Sequence, residues 1–429
     1  MLFVLLSGIA FMVMGHGLQT SLLGVRAGFE GFPDYAIGLI QSAFYVGFVA
    51  GTLSGPWFVR RVGHIRTFAA FASLASMSTV LHAVVVDPWS WLVLRAVTGA
   101  ALAGTFMVSE AWLNAIATTA SRGRILSLYT LVSLVAYGAS QLFLTLAKPQ
   151  SFELFVLVSI LISASLIPLS VSKIDNPPTI SVNRLGLGRL YRTSPLGAFG
   201  AFMAGVVLAA FYGLGAVFVQ RLGYSGDQVA LFMTVSILGA AVVQWPIGAL
   251  SDWLDRRSVT AATCLAAAVA ALAIAHLVGD RMQPLLVAGF LFGGLTGPIY
   301  ALCVAHANDY IDSSDAVGAA SSLLTLYGIG AAVGPFVGGT IMGQLGPDRL
   351  FDFLGVCCAS IFAFALWRMT QRAAVPNAEQ SAFVAVASTA ATPVASELDP
   401  RADDEAGEAG DPPVEPAAPG LDEAGEERR

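Results

Sequence analysis

The chain has 429 residues, of which 56 % are hydrophobic and 12 % charged, against about 25 % charged in ordinary soluble domains; its formal net charge is −6. That composition excludes a protein whose main solvent is water, and its basic residues are too dispersed for a nucleic-acid surface.

In chain order, twelve long apolar stretches follow one another, over residues 2–25, 36–58, 68–86, 91–115, 125–147, 152–172, 196–219, 228–250, 259–278, 285–307, 316–343 and 350–370. Each is about the 20 residues that a helix needs to cross about 30 Å of hydrocarbon, and in lipid a helix satisfies its own backbone polar groups. A β-barrel would show alternating segments of about 10 residues, whereas these runs are continuous. An all-α membrane protein is therefore expected. The apolar run from Leu2 to Met14 has no basic residue before it and no convincing small-residue cleavage site after it, so it reads as the first span and not as a secretory signal. So few residues precede that span that a start further upstream is expected to be testable by sequencing the native N-terminus.

A Pro-containing polar linker, around Asn176-Pro177-Pro178 to Ser194-Pro195, divides the spans six and six. The expected organisation is an N-terminal six-helix bundle over 1–172, a linker over 173–195, a C-terminal bundle over 196–370 and a disordered tail over 371–429. Residues 376–429 hold thirteen Asp or Glu and three Arg, a charge of −10, while residues 1–375 carry +4. With segments such as Asp411-Pro412-Pro413-Val414-Glu415-Pro416, this acidic tail lacks the apolar content to offset chain entropy. The loops on the side of the N-terminus hold Arg60, Arg61, Arg66, Arg122, Arg124, Lys173, Arg184, Arg189, Arg192, Arg256, Arg257, Arg368 and Arg372; the other side holds Arg26, Lys148, Arg221, Arg281 and Arg349. Thirteen against five sets both termini in the cytoplasm. The cysteines, Cys264, Cys303, Cys357 and Cys358, all fall within spans, have neither zinc-ligand nor disulfide-framework spacing, and read as packing residues.

The halves repeat each other. Asp34 to Gly55 aligns without a gap on Asp227 to Gly248, and Pro88 and Tyr129 are placed like Pro284 and Tyr327. Gly248-Ala-Leu-Ser-Asp252-Trp-Leu-Asp255-Arg256-Arg257 and, on span four, Arg95-Ala-Val-Thr-Gly99 resemble the loop signature and the Arg-three-residues-Gly motif of major facilitator superfamily transporters. The resemblance covers residues 1 to about 372. Gly15-His16-Gly17-Leu18-Gln19, Val62-Gly63-His64-Ile65-Arg66, Glu110-Ala-Trp-Leu-Asn114 and Ala305-His306-Ala-Asn308-Asp309 look most like the YcaD-like branch, which names no substrate. The resemblance implies two pseudo-symmetric six-helix bundles that rock about a central site, in a multi-pass protein of the bacterial inner membrane.

The N-terminal half departs from the loop signature: Gly55 is present, but the Asp position holds Val59 or Arg60. Since the family's inward-closed arrangement would bring the loops of the two halves face to face, we expect a charge-swapped cytoplasmic gate. It sets Arg60, Arg61 and Arg66 against Asp309, Asp312 and Asp315, and Asp252 and Asp255, beside Arg256 and Arg257, against Arg122 and Arg124. The alternative is a set of solvated loop charges, each pair contributing about 0 to 1 kcal/mol.

Charges within spans cost roughly 2.5 to 3.5 kcal/mol at mid-membrane, which makes Arg95 and Glu110 coupling or gating candidates. By resemblance Arg95 sits between helices of the N-terminal half, where it has either a structural or a coupling role. Glu110 lies fifteen residues on, roughly 22 Å along the helix, too far to pair with it. Glu110 is either a gate residue bonded to Arg60 or Arg66 or a proton carrier matched by His306 in the second half. His306 and His16 have ordinary buried histidine as their other reading.

Gln19, Gln41, Tyr45, Tyr137, Gln141, Tyr212, Gln244, Trp245, Tyr300, Asn308 and Tyr327 are candidates for the substrate pathway, some of them for interfacial anchors. Amides and rings suit a neutral or flat heteroaromatic metabolite, flavin-like, or a drug. Gly330-Ala-Ala-Val-Gly334-Pro335-Phe-Val-Gly338-Gly339 permits close helix approach and a bend; it resembles the antiporter Gly-Pro motif, displaced from span five to span eleven, so direction stays open. No Gly-Lys-Ser/Thr phosphate loop and no metal-ligand cluster is present in the sequence. The expectation is therefore not an enzyme but a secondary active transporter, monomeric, without a cofactor and driven by the proton gradient. The alternative is a membrane sensor or scaffold that uses the transporter fold and signals through its tail.

Overall fold

The structure is a computed structural model, and it describes residues 1–171, 177, 185–277, 281–312, 315–376, 380–386 and 391–398. Residue 172, the expected linker residues 173–176 and 178–184, and the acidic tail 399–429 lie outside the described residues.

Among the described residues, twelve helices are long and apolar enough to cross a membrane: α1 (Leu2–Phe29), α2 (Asp34–Val62), α3 (His64–Val84), α4 (Pro88–Ile116), α5 (Arg122–Thr145), α6 (Glu153–Val171), α7 (Pro195–Arg221), α8 (Gly226–Trp253), α9 (Arg256–His276), α10 (Met282–Asn308), α11 (Ala316–Leu345) and α12 (Arg349–Gln371). Their ends differ from the sequence-based spans by at most four residues, because helices run past the apolar core until local chemistry stops them. Between α2 and α3 the stop is the single residue Gly63, with φ +87 and ψ 166, a region essentially confined to glycine and costing other residues about 1–3 kcal/mol. At the start of α4, the Asp87 side chain accepts a 2.8 Å hydrogen bond from the Ser90 N–H and Pro88 takes the first turn. That backbone bond holds the Asp87 carboxyl below its usual range.

Three spans are not continuous α-helix. α5 ends in a 3-10 turn, Gln141–Thr145; α6 breaks at Ser165 ahead of Pro168; and α10 is split into Met282–Thr296 and Ile299–Asn308 by Gly297 and Pro298. In α6 and α10 a proline, which has no N–H to donate and clashes with the carbonyl four residues back, lies at or just after the break; the α5 turn contains no proline. α4, the pseudo-symmetric mate of α10, has no internal proline and runs unbroken.

Small residues set the packing distances. Gly47 and Gly51 of α2 receive the backbone of Ala96 and Ala100 on α4, and Gly99 of α4 receives the backbone of Phe44. The second half repeats the arrangement, with Gly239 of α8 against Phe290 and Gly293 of α10 against Ser236. The halves meet along α2 with α11, α1 with α7 and α5 with α8. On the outside, Val46, Val93, Ile160, Val242, Val287 and Val356 are each more than half exposed, as lipid-facing residues should be. With an even number of spans, the start of α1 and the end of α12 lie on one face of the bundle, called here the terminal face; the opposite one is the far face.

Part of the expected tail belongs to the folded body. Residues 380–386 and 391–398 lie across the terminal face, with Thr392 and Leu398 fully buried and Pro393–Leu398 forming a 3-10 turn. We call these two stretches the strap. The boundary placed at residue 371 for a disordered tail therefore does not hold for them.

Candidate functional site

The N-terminal half is organised around a buried cation. Arg95 on α4 has no exposed surface, and it donates to Gln19 Oε1 at 3.0 Å, Thr20 Oγ1 at 2.7 Å and Gln41 Oε1 at 3.3 Å. Its guanidinium lies 4.5 Å from the centre of the Phe44 ring. Gln19 in turn donates to Thr79 Oγ1 at 3.0 Å, and Gln41 to the Thr20 carbonyl at 2.9 Å, which fixes both amides with their oxygens toward Arg95. Among the described residues no carboxylate pairs with Arg95; neutral oxygens from α1 and α2 and one aromatic face offset its desolvation. Both open roles for Arg95 fit this geometry: it ties α1, α2 and α4 together, and it holds a positive charge inside the bundle.

A chain of rings leads from this centre across both halves. Tyr212 lies 5.3 Å from Tyr137, which lies 5.7 Å from His16; His16 stacks on Phe44 at 4.5 Å, and Phe44 meets Tyr45 at 5.2 Å. Tyr45 then lines a cavity of about 130 Å³ between α2 and α11, together with Phe48, Val49, Thr52, Leu324, Thr325 and Tyr327. Tyr327 continues the series to Tyr300 at 5.1 Å. Gln141 joins from α5, accepting from Ser21 Oγ at 2.5 Å. The structure thus gathers Gln19, Gln41, Tyr45, Tyr137, Gln141, Tyr212, Tyr300 and Tyr327 into one region. His16 is part of it as a buried, stacked ring.

Toward the far face the halves are joined. Arg221 of α7 donates to Asp34 Oδ1 of α2 at 2.7 Å, Gln220 donates to the Val25 carbonyl at 3.0 Å, and the Phe336 N–H next to Pro335 donates to Ser42 Oγ at 3.0 Å. Gly38 and Gly339 let the backbones of α2 and α11 touch. Toward the terminal face the strap fills the gap. Ser381 is held at Asp309 Oδ1, to which its N–H and hydroxyl donate at 3.0 and 2.9 Å, and the Phe383 N–H donates to Asp252 Oδ1 at 2.9 Å. Further along, the N–H and hydroxyl of Thr392 both donate to the Glu110 carboxylate, which also accepts from Tyr129 OH at 2.9 Å. Asn114 donates to the Val394 carbonyl at 2.9 Å, and Arg122 to the Glu397 carbonyl at 3.0 Å. The strap therefore starts on the C-terminal half, ends on the N-terminal half, and supplies Ala391 and Pro393 to the wall of the central cavity.

The expected gate pairs are not formed in this conformation. Arg256 is buried and bonds Asp309 at 2.7 Å and Asp252 at 3.1 Å, Arg257 bonds Asp255 at 3.1 Å, and Arg189 bonds Asp315 at 2.5 Å. Arg60, Arg61, Arg66, Arg124 and Asp312 are exposed, with Arg61 5.2 Å from the centre of the Trp57 ring. The carboxylates of Asp252 and Asp309 are taken by a neighbouring arginine and by strap donors, and the strap occupies the space between the loops. Burial pushes the Asp309 carboxyl above its usual range against the pull of Arg256; at Asp255 burial acts the same way but hydrogen bonds from Arg257 outweigh it, leaving the group low.

Four further candidates are placed by the structure as follows. Glu110 bonds Tyr129 and Thr392 in place of Arg60 or Arg66. His306 lies apart from Glu110, in a crevice with Arg257, Arg368 and Arg372. Trp245 is 59 % exposed on the outer surface, one residue and about 100° round the helix from Gln244, which is buried. Asn308 is buried at the terminal end of α10, away from the residues that line the central cavity. Reading the sequence alone missed Thr20, Phe44 and Thr392. The i, i+3 and i, i+4 neighbours of Gln41 and His16 would have pointed to the first two.

The family model for the Major Facilitator Superfamily matches residues 2–283 and 196–397. The chain belongs to that superfamily. Its fold is accordingly the transporter fold of two six-helix bundles, and the protein is a multi-pass membrane transporter, not an enzyme. Among its relatives, a protein of Escherichia fergusonii described as "Uncharacterized MFS-type transporter YcaD" is 25 % identical over 350 residues, covering 81 % of this chain and 90 % of that one. The protein of the same description from Salmonella typhimurium is 24 % identical over 377 residues, with 87 % and 96 % covered. Among solved structures, the nucleoside transporter NupG aligns with a TM-score of 0.69 at 13 % identity, covering 86 % of this chain and 98 % of its own. A bacterial homologue of the human lysosomal transporter Spinster, inward-facing and occupied, aligns with a TM-score of 0.70 at 14 % identity, over 89 % and 97 %.

Proposed function

We propose that this superfamily member is a secondary active transporter of a small organic molecule, in which the two bundles rock about the cavity between α2 and α11. One observation carries the reading: rings from both halves, Tyr45 and Phe48 of α2 and Tyr327 of α11, line that cavity, while the far face is joined by Arg221–Asp34 and the mouth on the other side is filled by the strap. Transport then requires two rearrangements, parting of the far-face contacts and withdrawal of the strap.

Stacking faces and amides favour a neutral or flat heteroaromatic substrate, flavin-like or nucleoside-like, the latter class being the one that NupG is named for. Glu110, a wholly buried carboxylate on α4, is our candidate for proton coupling, and its bonds to the strap would make mouth closure sensitive to its protonation. We place the protein in the bacterial inner membrane with the terminal face, and so the strap, on the cytoplasmic side, where the positive-inside rule puts the basic loops.

The test is thermal stabilisation of the purified protein across a panel of nucleosides, flavins and drugs at two pH values, followed by flux in proteoliposomes for each hit. A ligand at about 100 times its Kd should stabilise by about 2.7 kcal/mol. The expected result is a hit whose effect changes with pH and loses that dependence in Glu110→Gln. A folded sample that binds nothing on the panel, and carries no flux, would favour the sensor or scaffold reading.

A further inference from the structure

On the terminal face of the C-terminal half, a crevice unconnected with the central cavity is lined by Thr193, Ser194, Arg257, His306, Arg368 and Arg372, among others. Its charge is unbalanced. Arg257 is paired with Asp255, but among the described residues neither Arg368 nor Arg372 has a carboxylate partner; their ring contacts are with Trp367 and Tyr310. The crevice also contains the start of α7, where Ser194 precedes Pro195 and the first-turn N–H groups have no partner within the helix. A second observation is independent of the charges: Ser194, one of the lining residues, is 1 % exposed, and its hydroxyl has no hydrogen-bond partner.

We infer that this crevice is a phosphate-binding site, and that its natural occupant is the headgroup phosphate of an anionic phospholipid. Two guanidinium groups without carboxylates, a third held by Asp255, a histidine, a buried free hydroxyl and a helix N-terminus form a donor set that matches the oxygens of a phosphate. The position argues for lipid. Trp367 and Leu366, the residues just before Arg368, are 53 % and 44 % exposed on the outer surface at the end of α12, which sets the opening at the level where tryptophan anchors and headgroups lie. The phosphate would bridge the ends of α7, α9, α10 and α12. Nothing here depends on which substrate the central cavity takes.

Native mass spectrometry of the full-length protein in detergent, with phosphatidylglycerol, phosphatidylcholine or inorganic phosphate added, tests the site. Phosphatidylglycerol adducts should exceed phosphatidylcholine adducts at least fivefold, and Arg368→Gln with Arg372→Gln should remove that preference. Arg60→Gln with Arg61→Gln changes the charge equally on the same face and should leave it intact. Ser194→Ala deletes only an unpartnered hydroxyl, so it preserves the fold, and it should weaken phosphatidylglycerol retention. If inorganic phosphate competes with the lipid at millimolar concentration, the site takes the free anion as well; if it does not, the glycerol backbone and acyl chains contribute and the lipid is the ligand. Both outcomes support a phosphate site. Equal retention of the two lipids, or a loss as large in the Arg60 and Arg61 variant as in the Arg368 and Arg372 variant, would overturn it.

Discussion

Replacing Gly47 with alanine should separate α2 from α4 and destabilise the N-terminal bundle. A Cβ at this position would stand 2.7 Å from the carbonyl carbon of Ala96 and 2.9 Å from its Cα, closer still to its oxygen, and the obstacle is helix backbone that cannot rotate aside. Overpacking of this kind costs about 1–3 kcal/mol, and a rigid neighbour argues for the upper end. Exchanging glycine for alanine in a helix recovers about 1 kcal/mol, so the net loss should be about 2 kcal/mol. Gly226, in the first turn of α8, is the matched control, because nothing lies within 4 Å of its would-be Cβ. Gly226→Ala should be neutral or stabilising by about 0.4–1 kcal/mol. Equilibrium unfolding in SDS, followed by far-UV circular dichroism, measures both. If Gly47→Ala stays within about 0.5 kcal/mol of the parent, or Gly226→Ala loses as much as Gly47→Ala, backbone contact does not set the distance between α2 and α4 and the argument fails.

Arg95→Lys should be destabilising by about 1–3 kcal/mol, since one ammonium cannot reach Gln19, Thr20 and Gln41 together, and the same unfolding assay reads it. Ser42→Ala removes the acceptor of the Phe336 N–H and should cost about 1 kcal/mol, with faster hydrogen exchange confined to the Pro335 region of α11. For Arg221 and Asp34, partly exposed at 35 % and 14 %, a double-mutant cycle should give a coupling of about 1 kcal/mol or less, so that a much larger value would contradict a solvent-screened pair. Asp255 has a lowered pKa in the folded protein, so its stabilising contribution is present above the unfolded-state value and is lost as pH falls through the folded one. Asp255→Asn should therefore be less stable than the parent near neutrality and converge with it in acid, as pH-dependent melting can check.

The twelve spans were legible because crossing hydrocarbon demands about 20 apolar residues whatever the function. Arg95 was legible for the converse reason, that a charge in such a run needs a purpose. Facing was less legible. Gln244 and Trp245 are both plausible pathway residues by type, and only the helix phase in the folded bundle turns one inward and the other to the outside. The gate failed for an electrostatic reason. Asp252 at the end of α8 and Arg256 at the start of α9 are four residues apart across a tight loop and satisfy each other locally, and Asp309 reaches the same arginine, so neither carboxylate waits for a partner in the other half. The strap was invisible because most of its hold comes from backbone N–H and carbonyl groups, which every residue has; a run of Ala, Thr, Val and Ser carries no periodic pattern to announce that kind of contact.

The strap also constrains the order of events during synthesis. Residues 380–386 and 391–398 leave the ribosome after all twelve helices, yet their seat is made from α4, α5, α8 and α10 together. That seat is complete only when the two bundles are in contact, so the strap can take its final place only after the last helix has been made. Until then the space between the loops holds no strap and the mouth on the terminal face is unfilled.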